Sequence, residues 1–334
     1  MAEARAEIQA FLTELWRCNA ADPEGVAATH LAKDAVFDIS APVGTLRGRQ
    51  AILSGLIWPM RAALGHLNRR DEIFIGGRNT RAEGGTWMAS LTHYAGRFTA
   101  PLFGVLPSDR LVFLRTGEFY RIENGQITQG RIIIDLLDLM HQTGCFPLAR
   151  YDGAALTFPG PMTHDGVCPP DRGNGARSLG IVEAMLDALH DYNPATFGSP
   201  AQTGTGGFWC KDMMWYGPGG IGATIGWDGF VDHHRAGFLR AFPDRKGGNH
   251  YCRIGDGHYA AVSGWPSMTM THLGPYLGVP ATGASLTLRV MDFYRCTDRQ
   301  IAENWVLLDY IDLLGQMGRD PIADSHTHPG LANA

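Results

Sequence analysis

The chain has 334 residues, 45% hydrophobic and 18% charged, a globular composition too long for one ordinary core and suited to two. Its net charge of −5, with no Lys/Arg run, argues against a nucleic-acid partner, and no apolar run approaches the ~18 residues of a membrane span. The stretch after Met1 reads as a polar-spaced helix rather than a signal-peptide core, and the six cysteines (Cys18, Cys145, Cys168, Cys210, Cys252 and Cys296) form no C-x-x-C pair, so a cytoplasmic protein with reduced thiols is expected.

Ile8, Phe11, Leu12, Leu15 and Trp16 recur at helical spacing and predict an amphipathic first helix. Asp22-Pro23 is an N-cap followed by an N1 proline, which opens a short second helix. A strand is expected over 35–39, then a third helix carrying Ile52, Leu56, Met60 and Leu64. Long strands rich in β-branched and aromatic residues follow, closed by a short helix from about Asp138. Residues 147–176 are rich in Pro and Gly, lack periodicity and read as a linker. The order then restarts. Leu179, Val182, Leu186 and Leu189 repeat the first stripe, Asn193-Pro194 the cap, 213–216 the strand, and Phe230, His234, Phe238 and Phe242 the third helix. Residues 321–334 read as a polar tail.

The restart is a duplication. Leu114-Arg115, Phe119-Tyr120-Arg121, Gln126-Ile127, Asp135, Asp138-Leu139, Gln142 and Gly144 all recur 174 positions later without a gap. Lys33-Asp34, Gly44, Gly48 and Ala63 recur at a spacing of 178, and Asp22-Pro23 is matched by Asn193-Pro194 at 171. Three blocks in one order place a first domain at 1–146 and a second at 177–320. Helices first and then a run of strands mean α+β, with helices on one face of a curved, mostly antiparallel sheet.

The second copy resembles the SnoaL-like polyketide cyclases of the nuclear-transport-factor-2-like superfamily. The resemblance rests on Met214-Trp215-Tyr216-Gly217-Pro218-Gly219-Gly220, His233-His234 through Phe242-Pro243-Asp244, Thr271-His272-Leu273-Gly274, and Glu303-Asn304-Trp305 through Asp309 to Gly318. It implies two tandem cone-shaped domains, each a bent sheet wrapped around helices with an apolar pocket inside, paired through their sheets as an intramolecular pseudo-dimer. It also implies a pocket aspartate acting as base in ring closure without metal or cofactor, at Asp309, with Asp135 as its counterpart in the first copy. His272 is the implied donor or second acid.

The residues themselves leave Asp309 two roles. A carboxylate base needs an apolar setting that raises its pKa, and strand alternation places Glu303, Trp305, Leu307 and Asp309 on one face. Asp309 and Asp312 are also spaced as an N-cap and an N3 carboxylate, as are Asp135 and Asp138. Trp215, Trp265, Trp305, Tyr216 and His234 are the candidate pocket walls. The first copy has Phe37, Leu91 and Arg131 in place of the three tryptophans, and Phe98 in place of His272, so its pocket reads as degenerate. His233-His234 and His326-x-His328 lack further ligands at metal spacing. The expected function is aldol cyclisation or isomerisation next to a carbonyl of a hydrophobic small molecule, with no cofactor. The alternatives are a non-catalytic binding protein or a hydrolase of the same fold. Further self-association is compatible with this reading.

Overall fold

The computed structural model describes residues 2–17, 22–169, 174–203 and 205–327. In the first domain, α1 (Ala2–Trp16) and α2 (Pro23–His30) precede β1 (Leu31–Ile39) and β2 (Gly44–Arg47). Next, α3 (Arg49–Ile52) runs through a π-helical turn (Leu53–Ile57) into α4 (Trp58–Ala63). The strands β3 (Leu64–Arg78), β4 (Thr86–Phe98), β5 (Leu111–Glu123) and β6 (Gln126–Ile134) lead to α5 (Leu136–Thr143). The second domain repeats this with α6 (Gly175–Asp187), α7 (Pro200–Thr203), β7 (Trp209–Tyr216), β8 (Ala223–Ile225), α8 (Gly226–Phe230), a second π-helical turn (Val231–Arg235) and α9 (Ala236–Ala241). It ends with β9 (Cys252–Asp256), β10 (Tyr259–Thr271), β11 (Ser285–Cys296), β12 (Ile301–Leu308) and α10 (Tyr310–Gln316), then α11 (Pro321–His326).

Both sheets have six strands in the same order, β2-β1-β6-β5-β4-β3 and β8-β7-β12-β11-β10-β9. The β1–β6 and β7–β12 pairs are parallel and the other strand pairs antiparallel. The chain is α+β, with two tandem domains as the repeat implies.

Each sheet is covered on both sides. The inner face packs on its own helices, and Ile8, Phe11, Leu12, Leu15 and Trp16 of α1 are all buried there. The outer faces pack on each other: Ile73, Ile75, Trp87, Leu91 and Phe119 of the first sheet meet Ile254, Tyr259, Met291, Phe293 and Trp305 of the second. The linker joins that layer, with Phe158 buried in it and the Trp305 indole donating to the Pro159 carbonyl at 3.0 Å.

Several local expectations change. Asp22 caps α2 through Gly25 N–H at 2.8 Å, but Asn193 accepts from Ala195 N–H in a turn, and the short helix of the second copy begins only at Pro200. The last helices begin earlier than Asp138 and Asp312, with Asp135 and Asp309 as their N-caps. Residues 321–326 of the tail are helical, capped by Asp320, and His326 hydrogen-bonds the Gly104 carbonyl of the first domain at 2.7 Å. Cys18 and His328 lie outside the described residues, and the other five cysteines are free thiols.

Candidate active site

The second domain encloses a cavity of about 120 Å3 between its helices and the inner face of its sheet. Its walls are mainly apolar: Met185, Trp209, Trp215, Phe230, Phe238, Met268, Leu288, Val290, Val306 and Leu308. One wall is the inner face of β11, where Leu288, Val290, Asp292 and Tyr294 alternate with Met291 and Phe293, which face the other domain.

Asp292 is therefore a carboxylate in an apolar strip. Asn304 Nδ2, on β12, donates to its Oδ1 at 3.4 Å and to the Phe293 carbonyl at 3.0 Å. Burial pushes the Asp292 pKa up to about 7, against the opposing pull of hydrogen bonds from Asn304 and Tyr294. A carboxyl that titrates near neutrality can both accept and return a proton at cellular pH.

His234 forms another part of the wall. It sits in the second π-helical turn, stacked on Trp215 with ring centroids 4.6 Å apart, and its Nδ1 is buried without a partner. Burial, with the charges of Arg235 and Arg245, pulls its pKa down to about 3, so the ring is neutral. His250 is also buried in the lining and pulled down to about 3 by burial and by Arg253.

The remaining expected site residues stand elsewhere. Trp305 and Tyr216 stack on each other at 5.3 Å in the layer between the sheets. The alternation along β12 is as expected, but the odd residues face outward and Asn304, Val306 and Leu308 face the cavity. A strand buried on both faces carries no polar side to show which way is in. Trp265 lies at the edge of the same outer layer, with the Arg289 guanidinium 4.9 Å from its ring. His272 is buried behind Phe242, its Nδ1 3.0 Å from Thr282 Oγ1, and does not line the cavity.

Asp309 is also outside the cavity lining. Its Oδ1 accepts from Asp312 N–H at 3.2 Å, its Oδ2 accepts from Ala41 N–H of the first domain at 3.2 Å, and Arg289 pairs with it at 2.8 Å. Asp135 mirrors it, accepting from Asp138 N–H at 3.0 Å and Gly219 N–H of the second domain at 2.8 Å, beside Arg115. Both aspartates are helix caps that also tie one domain to the other.

Sequence reasoning missed Asp292. Its counterpart at the 174 spacing is Glu118, so an identity search passes over the pair. The available signal was a carboxylate on the apolar face of Leu286, Leu288, Val290 and Tyr294. In the first domain the same position is closed. Arg69 pairs with Glu118 at 2.7 Å, and Tyr94, Thr116 and Tyr120 donate to it at 2.7–2.8 Å. The strand neighbours account for the difference. Ser90, Thr92 and Tyr94 pair with Glu118, Thr116 and Leu114, whereas Val262, Gly264 and Met268 pair with Asp292, Val290 and Leu288.

The model of the SnoaL-like polyketide cyclase family matches residues 6–143 and 202–317. Among solved structures, a SnoaL-like protein from Jannaschia sp. CCS1 is 17% identical, with 41% of this chain and 90% of that chain covered and a TM-score of 0.35. IdmH from Streptomyces antibioticus is 17% identical over 42% of this chain and 99% of its own, with a TM-score of 0.34. A protein with a ketosteroid isomerase-like fold from Catenulispora acidiphila is 16% identical over 40% and 92%, with a TM-score of 0.31. No curated protein matches the chain. Matched once over each of its two sheets, the chain belongs to the SnoaL-like polyketide cyclase family as a tandem duplication of the family's domain.

Proposed function

We propose that the second domain catalyses proton abstraction next to a carbonyl of a hydrophobic small molecule, leading to aldol ring closure or isomerisation, with Asp292 as the base. The observation that carries this reading is a carboxyl with a pKa of about 7 on an otherwise apolar cavity wall. Asp292 takes the proton from the carbon beside the carbonyl. The charge that develops on the carbonyl oxygen needs a donor. His234 is neutral and has an unpartnered ring nitrogen, so one tautomer donates there without carrying charge. Trp215, Phe230 and Phe238 exclude water and hold a flat substrate. In this reading Asp309 and His272 move no proton, and the first domain supports the second, because Arg69 and three hydroxyl donors already engage Glu118.

The test is deuterium exchange at the activated carbon of an aromatic β-keto compound, followed by NMR in D2O. The parent should accelerate exchange, and Asp292→Asn should lower the rate by roughly 10²–10⁴, with Glu118→Gln unaffected. Equal rates in parent and Asp292→Asn would remove the base. Binding without exchange would favour a non-catalytic binding protein, and labelled solvent oxygen in a product would favour a hydrolase.

A further inference from the structure

The cavity includes in its lining positive charge that no ion pair among the described residues neutralises. Arg245 lines it, and Arg235, the last residue of the π-helical turn, lies beside it; both side chains are more than nine-tenths buried. Among the described residues neither guanidinium makes an ion pair, although Arg253, whose charge acts on His250 in the same lining, reaches Glu183 at 3.5 Å. Arg235 donates to the Leu189 carbonyl at 3.2 Å and leaves its Nε without a partner. The Tyr192 ring is close to both, 5.2 Å from the Arg235 guanidinium carbon and 5.8 Å from that of Arg245.

A buried, unpaired cation costs several kcal/mol, so two side by side are kept only where an anion completes them. Burial and the neighbouring Arg245 charge pull the Arg235 pKa down to about 10, and burial together with the two arginines lowers His190 and His234 as well. The groups that shift Asp292 are its own burial, Asn304 and Tyr294, with no arginine among them. Arg245 and Asp292 both line the one apolar chamber.

We infer that the cavity takes a hydrophobic carboxylic acid, its body packed on Trp215 and Met268 and its carboxylate paired with Arg245, with Arg235 behind. This deepens the proposed function and rests on it only in that the acid would be the molecule whose carbonyl faces Asp292. Charge-assisted pairing to a guanidinium is directional and about twice as strong as a neutral hydrogen bond. An uncharged analogue of the same shape would leave both cations unpaired.

The experiment titrates 2-naphthoate and 2-naphthamide, matched in shape and differing in charge, against the full chain by tryptophan fluorescence. Naphthoate should bind at least about tenfold more tightly. Arg245→Met should abolish that preference and Arg245→Lys should keep part of it, each checked for folding by thermal melting. Equal affinities in the parent, no naphthoate binding at millimolar concentration, or a preference that survives in both Arg245→Met and Arg235→Met would overturn the inference. If Arg245→Met does not fold, the parent comparison still decides. Asp292→Asn should retain the acid preference while losing proton exchange, so the two proposals fail separately.

Discussion

Asp309 and Asp292 are both buried carboxylates of the second domain, and their surroundings set them to opposite tasks. Three groups hold Asp309: Asp312 N–H, Ala41 N–H and Arg289. An Asn side chain reproduces the cap but turns an amide NH2 toward Ala41 N–H or Arg289. Asp309→Asn should therefore cost about 1–3 kcal/mol in thermal or denaturant unfolding while leaving deuterium exchange within a few-fold of the parent. Asp292 has the reverse profile. Its carboxyl titrates near 7 when folded, against a reference of 3.8. The folded state is thus unpenalised below about pH 4 and loses stability as pH rises toward and through 7. Asp292→Asn, which cannot ionise, should match the parent near pH 4 and be more stable at pH 8, by at most about 4 kcal/mol. The site residue would then weaken the fold at the pH where it works, which melting of both proteins at the two pH values would show. His234 and His250, both pulled down to about 3, act on the acid side: their contribution is present above about pH 6.5 and is lost as pH falls toward 3.

At the scale of elements, the two copies differ at β3 and β9. β3 is 15 residues long and carries Arg69 over the inner face, whereas β9 has 5 residues and the chain before it, with Gly247 and Gly248, lines the cavity. The matching π-helical turns show that the irregular helix belongs to the duplicated unit. Its contents differ, apolar Leu53, Leu56 and Ile57 in one copy and His234 and Arg235 in the other. Arg69 is needed because it faces two buried carboxylates, Asp71 at 2.8 Å and Glu118 at 2.7 Å. Arg69→Leu leaves both carboxylates buried without their cation and should cost about 3–5 kcal/mol or more. Adding Glu118→Gln should restore only part of that, since Asp71 still lacks its cation, and a double-mutant cycle from denaturant unfolding measures the coupling.

For the whole molecule, the interface has the self-complementary form of a two-fold dimer written into one chain. Phe119 meets Phe293, its own equivalent, with ring centroids 5.8 Å apart. Asp135 takes Gly219 N–H where Asp309 takes Ala41 N–H. Gly117 leaves room for Met291, again its own counterpart: a Cβ there would lie 3.2 Å from the Met291 sulfur. Phe119→Ala and Phe293→Ala should each destabilise by about 3–5 kcal/mol. Because the rings touch, the double variant should cost less than the sum of the singles. Strict additivity in urea unfolding would mean that the two rings do not interact across the interface. The linker is part of this layer too, with the Arg115 guanidinium 3.9 Å from the Phe158 ring.

The sequence alone determined the duplication, the α+β class and the family, and offered capping as one of two roles for Asp309, because each is written in local spacing or residue identity. Helical stripes and N-cap chemistry act within a turn or two, and a repeat is visible in one dimension. Gln142 and Gln316 recur for a reason of the same kind, each bonding the aspartate four residues before it and the adjacent strand backbone. Only the tertiary structure decided which face of β11 and β12 looks into the chamber. Both faces of each sheet are buried, one on helices and one on the other sheet, so alternation sorts residues into two sets without naming the inner one. That choice moved Trp305 and Tyr216 to the interface and brought Asp292 into the cavity with Trp215 and His234. It also set the charges: an isolated carboxyl in one domain and a neutralised one in the other differ through contacts that β3 and the chain before β9 make or omit, far apart in sequence.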